Sequence, residues 1–155
     1  MTKRVKQKVE TFVAILQQIA QLSTASTLKV GAIALHKSFQ KIAAFGYNGS
    51  YSGAPVNPNT GTEEESLEPG KSGFIHAEIN MIAKFREHDP ENYIILLTHS
   101  PCSICTKVLM TAGFKHIYWV QEYRETSHLC IFSGQEVTYG NMEKLIYDYN
   151  RKIIV

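Results

Sequence analysis

Two short clusters contain side chains that could bind a metal ion and move protons. Cys102 and Cys105 stand three residues apart after Pro101, and His76 and Glu78 lie upstream. If Pro101 opens a helix, both sulfur atoms project from its first turn, where the partial positive charge of the helix N-terminus favours the thiolate. His76, at the start of a second helix, would supply a third ligand. Histidine and cysteine are typical zinc ligands.

A zinc ion with three protein ligands keeps a fourth position open, as a catalytic site requires, whereas a structural zinc site is usually closed by a fourth ligand. Zinc lowers the pKa of bound water from about 16 to about 7. Glu78 is too close to His76 along a helix to bind the same metal comfortably, so we expect it to act as a general acid and base. Ala77, between them, is small enough for a planar ring to approach the backbone.

Less specific explanations exist for each cluster alone. A CxxC pair can be a redox dithiol, but a proline precedes Cys102 and the upstream His76 and Glu78 would then have no role. A single histidine at a helix start is often a capping or core residue. Because both clusters occur in one chain, the sequence favours one catalytic zinc site.

Together the two clusters resemble the signature of the zinc-dependent cytidine deaminase superfamily, and the chain is most similar to its deoxycytidylate (dCMP) deaminases. The resemblance implies zinc-dependent hydrolysis of dCMP to dUMP and ammonia, a reaction that feeds thymidylate synthesis. It extends from about residue 23 to about residue 124 and rests on Val30-Gly31-Ala32-Ile33, Gly46-Tyr47-Asn48-Gly49, His76-Ala77-Glu78-Ile79-Asn80, Ser100-Pro101-Cys102 to Cys105, and Tyr123-Arg124.

The periodicity of apolar residues predicts a helix, two strands, and then helix, strand, helix, strand, followed by a smaller strand and a closing helix. We expect an α/β fold, a three-layer α/β/α sandwich with a mixed five-stranded sheet, which is also the plan of the resembled family. Residues 1–155 would form a single domain, with a long loop insertion over residues 50–73.

The resemblance also implies contacts with the nucleotide. Asn48 would bind the sugar 3′-hydroxyl, although Asn48 before Gly49 is also typical of a turn. The Ser100 carbonyl would accept a hydrogen bond from the amino group of the base. Tyr123 and Arg124 would lie near the phosphate of the substrate, of an effector or of a neighbouring subunit's nucleotide, unless Arg124 is only a surface charge.

A hydroxyl-rich link before the first predicted strand leaves two interpretations open. Ser26 and Lys29 could contact a phosphate, since hydroxyl and ammonium groups suit a phosphate dianion. The segment could equally be a turn. The resembled family often has an arginine here, where this chain has Lys29.

Composition limits the partners. Hydrophobic residues make up 44% of the chain, charged residues 19%, and the net charge is +2, so bulk nucleic-acid binding is not expected. Neither a secretory signal nor a membrane span is recognisable. Of three cysteines, two are assigned to metal, which leaves Cys130 alone and suits a reducing compartment. We expect a cytoplasmic protein without membrane partners.

Further expectations concern assembly and regulation. The resemblance implies a homo-oligomer, a trimer or hexamer, and leaves open control by dCTP and dTTP, with Mg²⁺ present only if such a triphosphate binds. No cysteine precedes Cys102, so the second, structural zinc of several dCMP deaminases is not expected. His128 and Cys130 are interpreted as a surface imidazole and a buried thiol rather than a metal site.

Three other functions are consistent with parts of the pattern. The chain could deaminate another cytosine nucleoside or nucleotide; free cytidine would not require Lys29 or Arg124. It could deaminate adenosine or cytidine in nucleic acid, for which a more basic surface is expected. Outside enzymes, it could be a zinc-stabilised interaction module, but the intact Glu78 argues against that function.

Overall fold

Four α-helices and seven strands make up the part of the chain that the computed structural model describes, namely residues 2–26, 28–53, 74–123 and 126–154. The helices are α1 (Thr2–Ala20), α2 (Ala77–Lys84), α3 (Ser103–Thr111) and α4 (Met142–Asn150). The strands are β1 (Gly31–His36), β2 (Ile42–Tyr47), β3 (Gly49–Ser50), β4 (Phe74–Ile75), β5 (Tyr93–His99), β6 (His116–Gln121) and β7 (Thr138–Asn141). Two 3₁₀-helices span Pro90–Asn92 and Ser127–Phe132.

Five of these strands form one mixed sheet in the order β2–β1–β5–β6–β7. Strand β1 is antiparallel to both β2 and β5, whereas β5, β6 and β7 are mutually parallel. The connection from β5 to β6 runs through α3, as parallel pairing requires a crossover. The predicted α/β fold with a mixed five-stranded sheet is confirmed.

Helices cover both faces of this sheet. Alternate residues of β5 point to opposite sides, so that Ile95 and Leu97 pack with residues of α2 and α3, and Ile94 and Leu96 pack with residues of α1 and α4. Strand β5 reads as a continuous apolar run because both of its faces are buried. The three layers therefore match the predicted sandwich.

One helix boundary differs from the prediction for a tertiary reason. The spacing of the apolar residues after His76 predicts a helix to about His88, but α2 ends at Lys84 because the next residue, Phe85, is extended. The Phe85 ring instead packs edge-to-face against Tyr93 and Phe114, with centroids 5.1 and 5.0 Å away. This aromatic packing joins distant segments, so a helical period alone does not reveal it.

A separate two-stranded ribbon leads into α2. Strands β3 and β4 pair with Gly49 opposite Ile75 and Ser50 opposite Phe74. Of the predicted loop over residues 50–73, residues 54–73 lie outside the described residues. None of the helices in the described ranges is long and apolar enough to cross a bilayer.

Candidate metal centre

The ribbon and β2 together set the position of His76. His76 follows β4 directly and is the N-cap residue of α2. Gly46 of β2 lets α2 approach closely, because a Cβ there would lie 2.4 Å from the backbone nitrogen of Met81 and 2.5 Å from the Ala77 carbonyl oxygen. Backbone-to-backbone packing therefore holds the first turn of α2 against the sheet.

The first cysteine caps the helix that carries the second. Cys102 is the extended N-cap residue of α3, and its sulfur accepts a hydrogen bond from the Cys105 backbone N–H at 3.4 Å. Its carbonyl accepts from the Thr106 backbone N–H and side-chain hydroxyl, both at 2.9 Å. The prediction that Pro101 opens the helix is wrong by two residues: α3 begins at Ser103 because Cys102 takes the capping position.

His76, Cys102 and Cys105 converge on one point. The His76 Nδ1 atom lies 3.4 Å from each sulfur, and the three ligand atoms all lie within 4.8 Å of one another. A tetrahedral zinc ion with bonds of about 2.3 Å to sulfur and about 2.0 Å to nitrogen would place these atoms roughly 3.5 Å apart. The three residues therefore fit a zinc ion as they stand.

The two thiols differ in acidity. The hydrogen bond from the Cys105 thiol lowers the pKa of Cys102 to about 3, and His76 acts in the same direction. The same hydrogen bond, together with burial, raises the pKa of Cys105 above its usual range. A cation that binds here would therefore meet one thiolate and displace the proton of the second sulfur.

Glu78 lies on the first turn of α2, beside the cysteines. Only 4% of its surface is exposed, and burial raises the pKa of its carboxyl group, against the opposing effects of a hydrogen bond from Cys105 and the charge of His76. Glutamate is one of the side chains that commonly serve as general acid and base. Its location and chemistry suit the general acid–base role predicted from the sequence.

Asn48 is buried and holds the link before β1. Its Oδ1 atom accepts from the Ser23 hydroxyl at 2.7 Å and from the Val30 N–H at 2.8 Å, and its Nδ2 donates to the Leu28 carbonyl at 2.8 Å. These bonds use one of the two Nδ2–H donors. The predicted contact of Asn48 with a sugar hydroxyl stays a prediction.

Ser100 and Tyr123 meet where the parallel strands β5 and β6 end. The Ser100 N–H donates to the Gln121 carbonyl at 2.9 Å, and the Tyr123 N–H donates to the Ser100 hydroxyl at 2.7 Å. Ligands of open α/β sheets bind at this carboxyl edge. A hydrogen bond thus joins Tyr123 to Ser100, which stands two residues before Cys102.

Four further residues were predicted to contact the nucleotide, namely Ala77, Ser26, Lys29 and Arg124. Ala77 is completely buried, whereas Ser26 and Lys29 are exposed in the link between α1 and β1. Arg124 lies outside the described residues. Their contacts with substrate stay predictions.

The expectation of a buried thiol at Cys130 was wrong. Cys130 is exposed, and His128 is half-buried, with its Nε2 atom 2.6 Å from the Pro101 carbonyl oxygen. Leu129 and Phe132 are the buried residues of this 3₁₀-helix. Their three-residue spacing matches the 3₁₀ period, so that one side of the segment is buried and Cys130 lies outside it. This spacing is the sequence feature from which the exposure of Cys130 could have been predicted.

Comparisons with known proteins agree with this geometry. The family described as the cytidine and deoxycytidylate deaminase zinc-binding region matches residues 6–121. Human deoxycytidylate deaminase is 30% identical, over 91% of this chain and 85% of its own, and ComE operon protein 2 of Bacillus subtilis is 27% identical, over 91% and 75%.

Among solved structures, the dCMP deaminase of cyanophage S-TIM5 in complex with dCMP and dUMP is 30% identical, with a TM-score of 0.71. The match covers 86% of this chain and 95% of that one. The resemblance predicted from the sequence motifs is confirmed. With its matched zinc-binding region and a His–Cys–Cys set of fitting geometry, the chain belongs to the cytidine and deoxycytidylate deaminase family.

Proposed function

We propose that this protein is a zinc-dependent dCMP deaminase that hydrolyses dCMP to dUMP and ammonia. The observation that carries the proposal is the buried carboxyl group of Glu78 beside three ligand atoms spaced for zinc. Support for dCMP as substrate comes from the 30% identical phage enzyme, whose structure contains dCMP and dUMP.

His76, Cys102 and Cys105 would hold the metal. Zinc bound there would supply Lewis-acid activation of water as a nucleophile near neutral pH. Glu78 accepts the proton of the attacking water and delivers protons to N3 and then to the departing amino group of cytosine. Water adds at C4 and ammonia leaves, so the reaction balances without an oxidant or a further cofactor.

The nucleotide would bind at the carboxyl edge of β5 and β6. The Ser100 carbonyl accepts a hydrogen bond from the amino group of the base. Ala77 is small, so the planar ring of the base can approach the backbone there. Asn48 binds the sugar, and the phosphate is contacted by Ser26, Lys29, Tyr123 and Arg124. The joining of Ser100 and Tyr123 by a hydrogen bond of 2.7 Å supports a common role for this edge.

Ammonia release by the zinc-loaded protein tests the substrate. dCMP, deoxycytidine and CMP are compared side by side, each with and without dCTP and Mg²⁺. We expect a strong preference for dCMP. Equal turnover of deoxycytidine would indicate a nucleoside deaminase, and no turnover of any of the three with zinc bound would favour a nucleic-acid substrate or an interaction module.

Glu78→Gln tests the proton transfer. We expect the variant to bind zinc normally and to lose about 100- to 10,000-fold in kcat, the usual contribution of a general acid–base. Glu10→Gln is a matched control, because Glu10 is exposed on α1 and pairs only loosely with Lys6, at 3.8 Å. Full activity of Glu78→Gln would contradict the mechanism.

A further inference from the structure

The imidazole of His128 contacts the backbone of the loop that presents Cys102. Its Nε2 atom lies 2.6 Å from the Pro101 carbonyl oxygen. A carbonyl oxygen only accepts hydrogen bonds, so Nε2 carries the proton and donates it. The bond is made to the peptide unit that joins Pro101 to Cys102, directly before a proposed zinc ligand.

This bond completes a series of contacts along the loop. The Ser100 N–H is held by the Gln121 carbonyl at the end of β6. The Cys102 carbonyl accepts from Thr106. Proline has no N–H of its own, so the Pro101 carbonyl is the polar group through which this residue is held.

His128 itself is fixed by the 3₁₀-helix Ser127–Phe132. Leu129 and Phe132, which share one face of this helix, are buried in the same core as Leu109 of α3. The Phe132 ring also packs against Tyr139 of β7, with centroids 4.8 Å apart. Because its helix is anchored in the core, the imidazole makes its bond from a rigid support.

We propose that His128 is a positioning residue of the metal centre: its hydrogen bond to the Pro101 carbonyl fixes the peptide before Cys102 and thereby the place of the Cys102 sulfur among the ligands. The proposal rests on the metal site of the proposed function but not on its substrate. Partners outside the ligand shell commonly change metal affinity or activity by about 10- to 100-fold.

Three variants of His128 separate positioning from general packing. His128→Gln keeps an N–H donor at the same distance along the side chain, His128→Asn keeps the amide but is one methylene shorter, and His128→Leu has no donor. His88→Leu is the matched control, because His88 is an exposed histidine in the loop after α2.

The measurement is zinc affinity of the full chain, by competition with a chromophoric chelator, at a temperature where circular dichroism shows every variant folded. Cobalt(II) in place of zinc gives a second readout, the thiolate-to-metal charge-transfer band. We expect Leu and Asn to weaken zinc binding by about 10- to 100-fold and to alter the band, and Gln to restore both towards the wild type.

Two results would overturn the proposal. One is a His128→Leu protein with zinc affinity within about twofold of the wild type and an unchanged cobalt band. The other is a Gln variant as impaired as Leu, because that would assign the effect to packing. Neither readout uses dCMP, so failure of the proposed substrate would leave this test unaffected.

Discussion

The sulfur of Cys102 accepts a hydrogen bond from the backbone N–H of Cys105 at 3.4 Å, so one residue serves both as helix cap and as proposed metal ligand. The two roles are separable, because serine can cap a helix but is a poor zinc ligand. The metal-free and zinc-bound proteins should therefore respond differently to substitution of Cys102.

We expect Cys102→Ser and Cys102→Ala both to lose most zinc affinity. In the presence of a chelator, the alanine variant should be less stable than the serine variant by about 1 kcal/mol, the usual worth of an N-cap. Denaturant unfolding can be followed by the fluorescence of Trp119, the single tryptophan, which is buried. Equal stabilities of the two variants without metal would contradict the capping role.

Gly46 is the point at which β2 and α2 pack backbone to backbone. Gly46→Ala would bring a Cβ within 2.4 Å of the Met81 nitrogen. We expect a loss of about 1–3 kcal/mol in unfolding free energy and weaker zinc binding, because relief of the clash moves α2 and with it His76. Chemical unfolding and a zinc titration measure the two effects.

The control for Gly46 is Gly134→Ala. Gly134 has nothing within 4 Å of an added Cβ, and its φ of +77° makes a substitution cost about 1–2 kcal/mol in backbone strain. Both variants should lose stability, but only Gly46→Ala should lose zinc affinity. A Gly46→Ala protein that binds zinc as the wild type does would show that α2 can shift without disturbing the ligands.

The grouping of His76, Cys102 and Cys105 was predictable because it depends on residue type and short spacing. A CxxC pair and an upstream His-x-Glu restrict the chemistry strongly. Strand β5 was predictable for a similar local reason, since its unbroken apolar run matches a strand buried on both faces.

Features that depend on distant contacts were not predictable. The end of α2 is decided by the packing of Phe85 against Phe114, 29 positions away. The hydrogen bond of His128 is made to Pro101, 27 positions away. The sequence around Asn48 is typical of a turn, but its buried side-chain amide donates a hydrogen bond to the Leu28 carbonyl, 20 positions upstream. In each case the partner becomes a neighbour only through the tertiary fold.

Asp148 is a carboxylate with no exposed surface, held by two side chains. Its Oδ2 atom accepts from the Tyr118 hydroxyl at 2.6 Å, and its Oδ1 atom pairs with Lys144 Nζ at 2.6 Å. Tyr118→Phe removes one partner and leaves a buried charged oxygen short of a hydrogen bond. We expect a loss of about 1.5–3 kcal/mol in unfolding free energy, measured by urea titration.

A double-mutant cycle with Asp148→Asn identifies the cause of that loss. If the hydroxyl acts through the carboxylate, Tyr118→Phe should cost less in the protein that already carries Asp148→Asn than in the wild type. Additive losses would mean that the tyrosine hydroxyl stabilises the fold through another partner.

His116 makes stability depend on pH. It is 7% exposed, and burial, assisted by the charge of Lys37, lowers the pKa of its imidazole from the usual 6.5. As pH falls below 6.5, the unfolded chain binds a proton that the folded chain does not, so unfolding free energy decreases until the lower, folded pKa is passed. His116→Gln removes this protonation site. The unfolding free energy of the variant, relative to that of the wild type, should therefore increase as pH falls from about 7.5 to about 5. Urea unfolding at both pH values measures the difference, with the exposed His88→Gln as control; a constant difference across the range would show that His116 does not couple folding to proton binding.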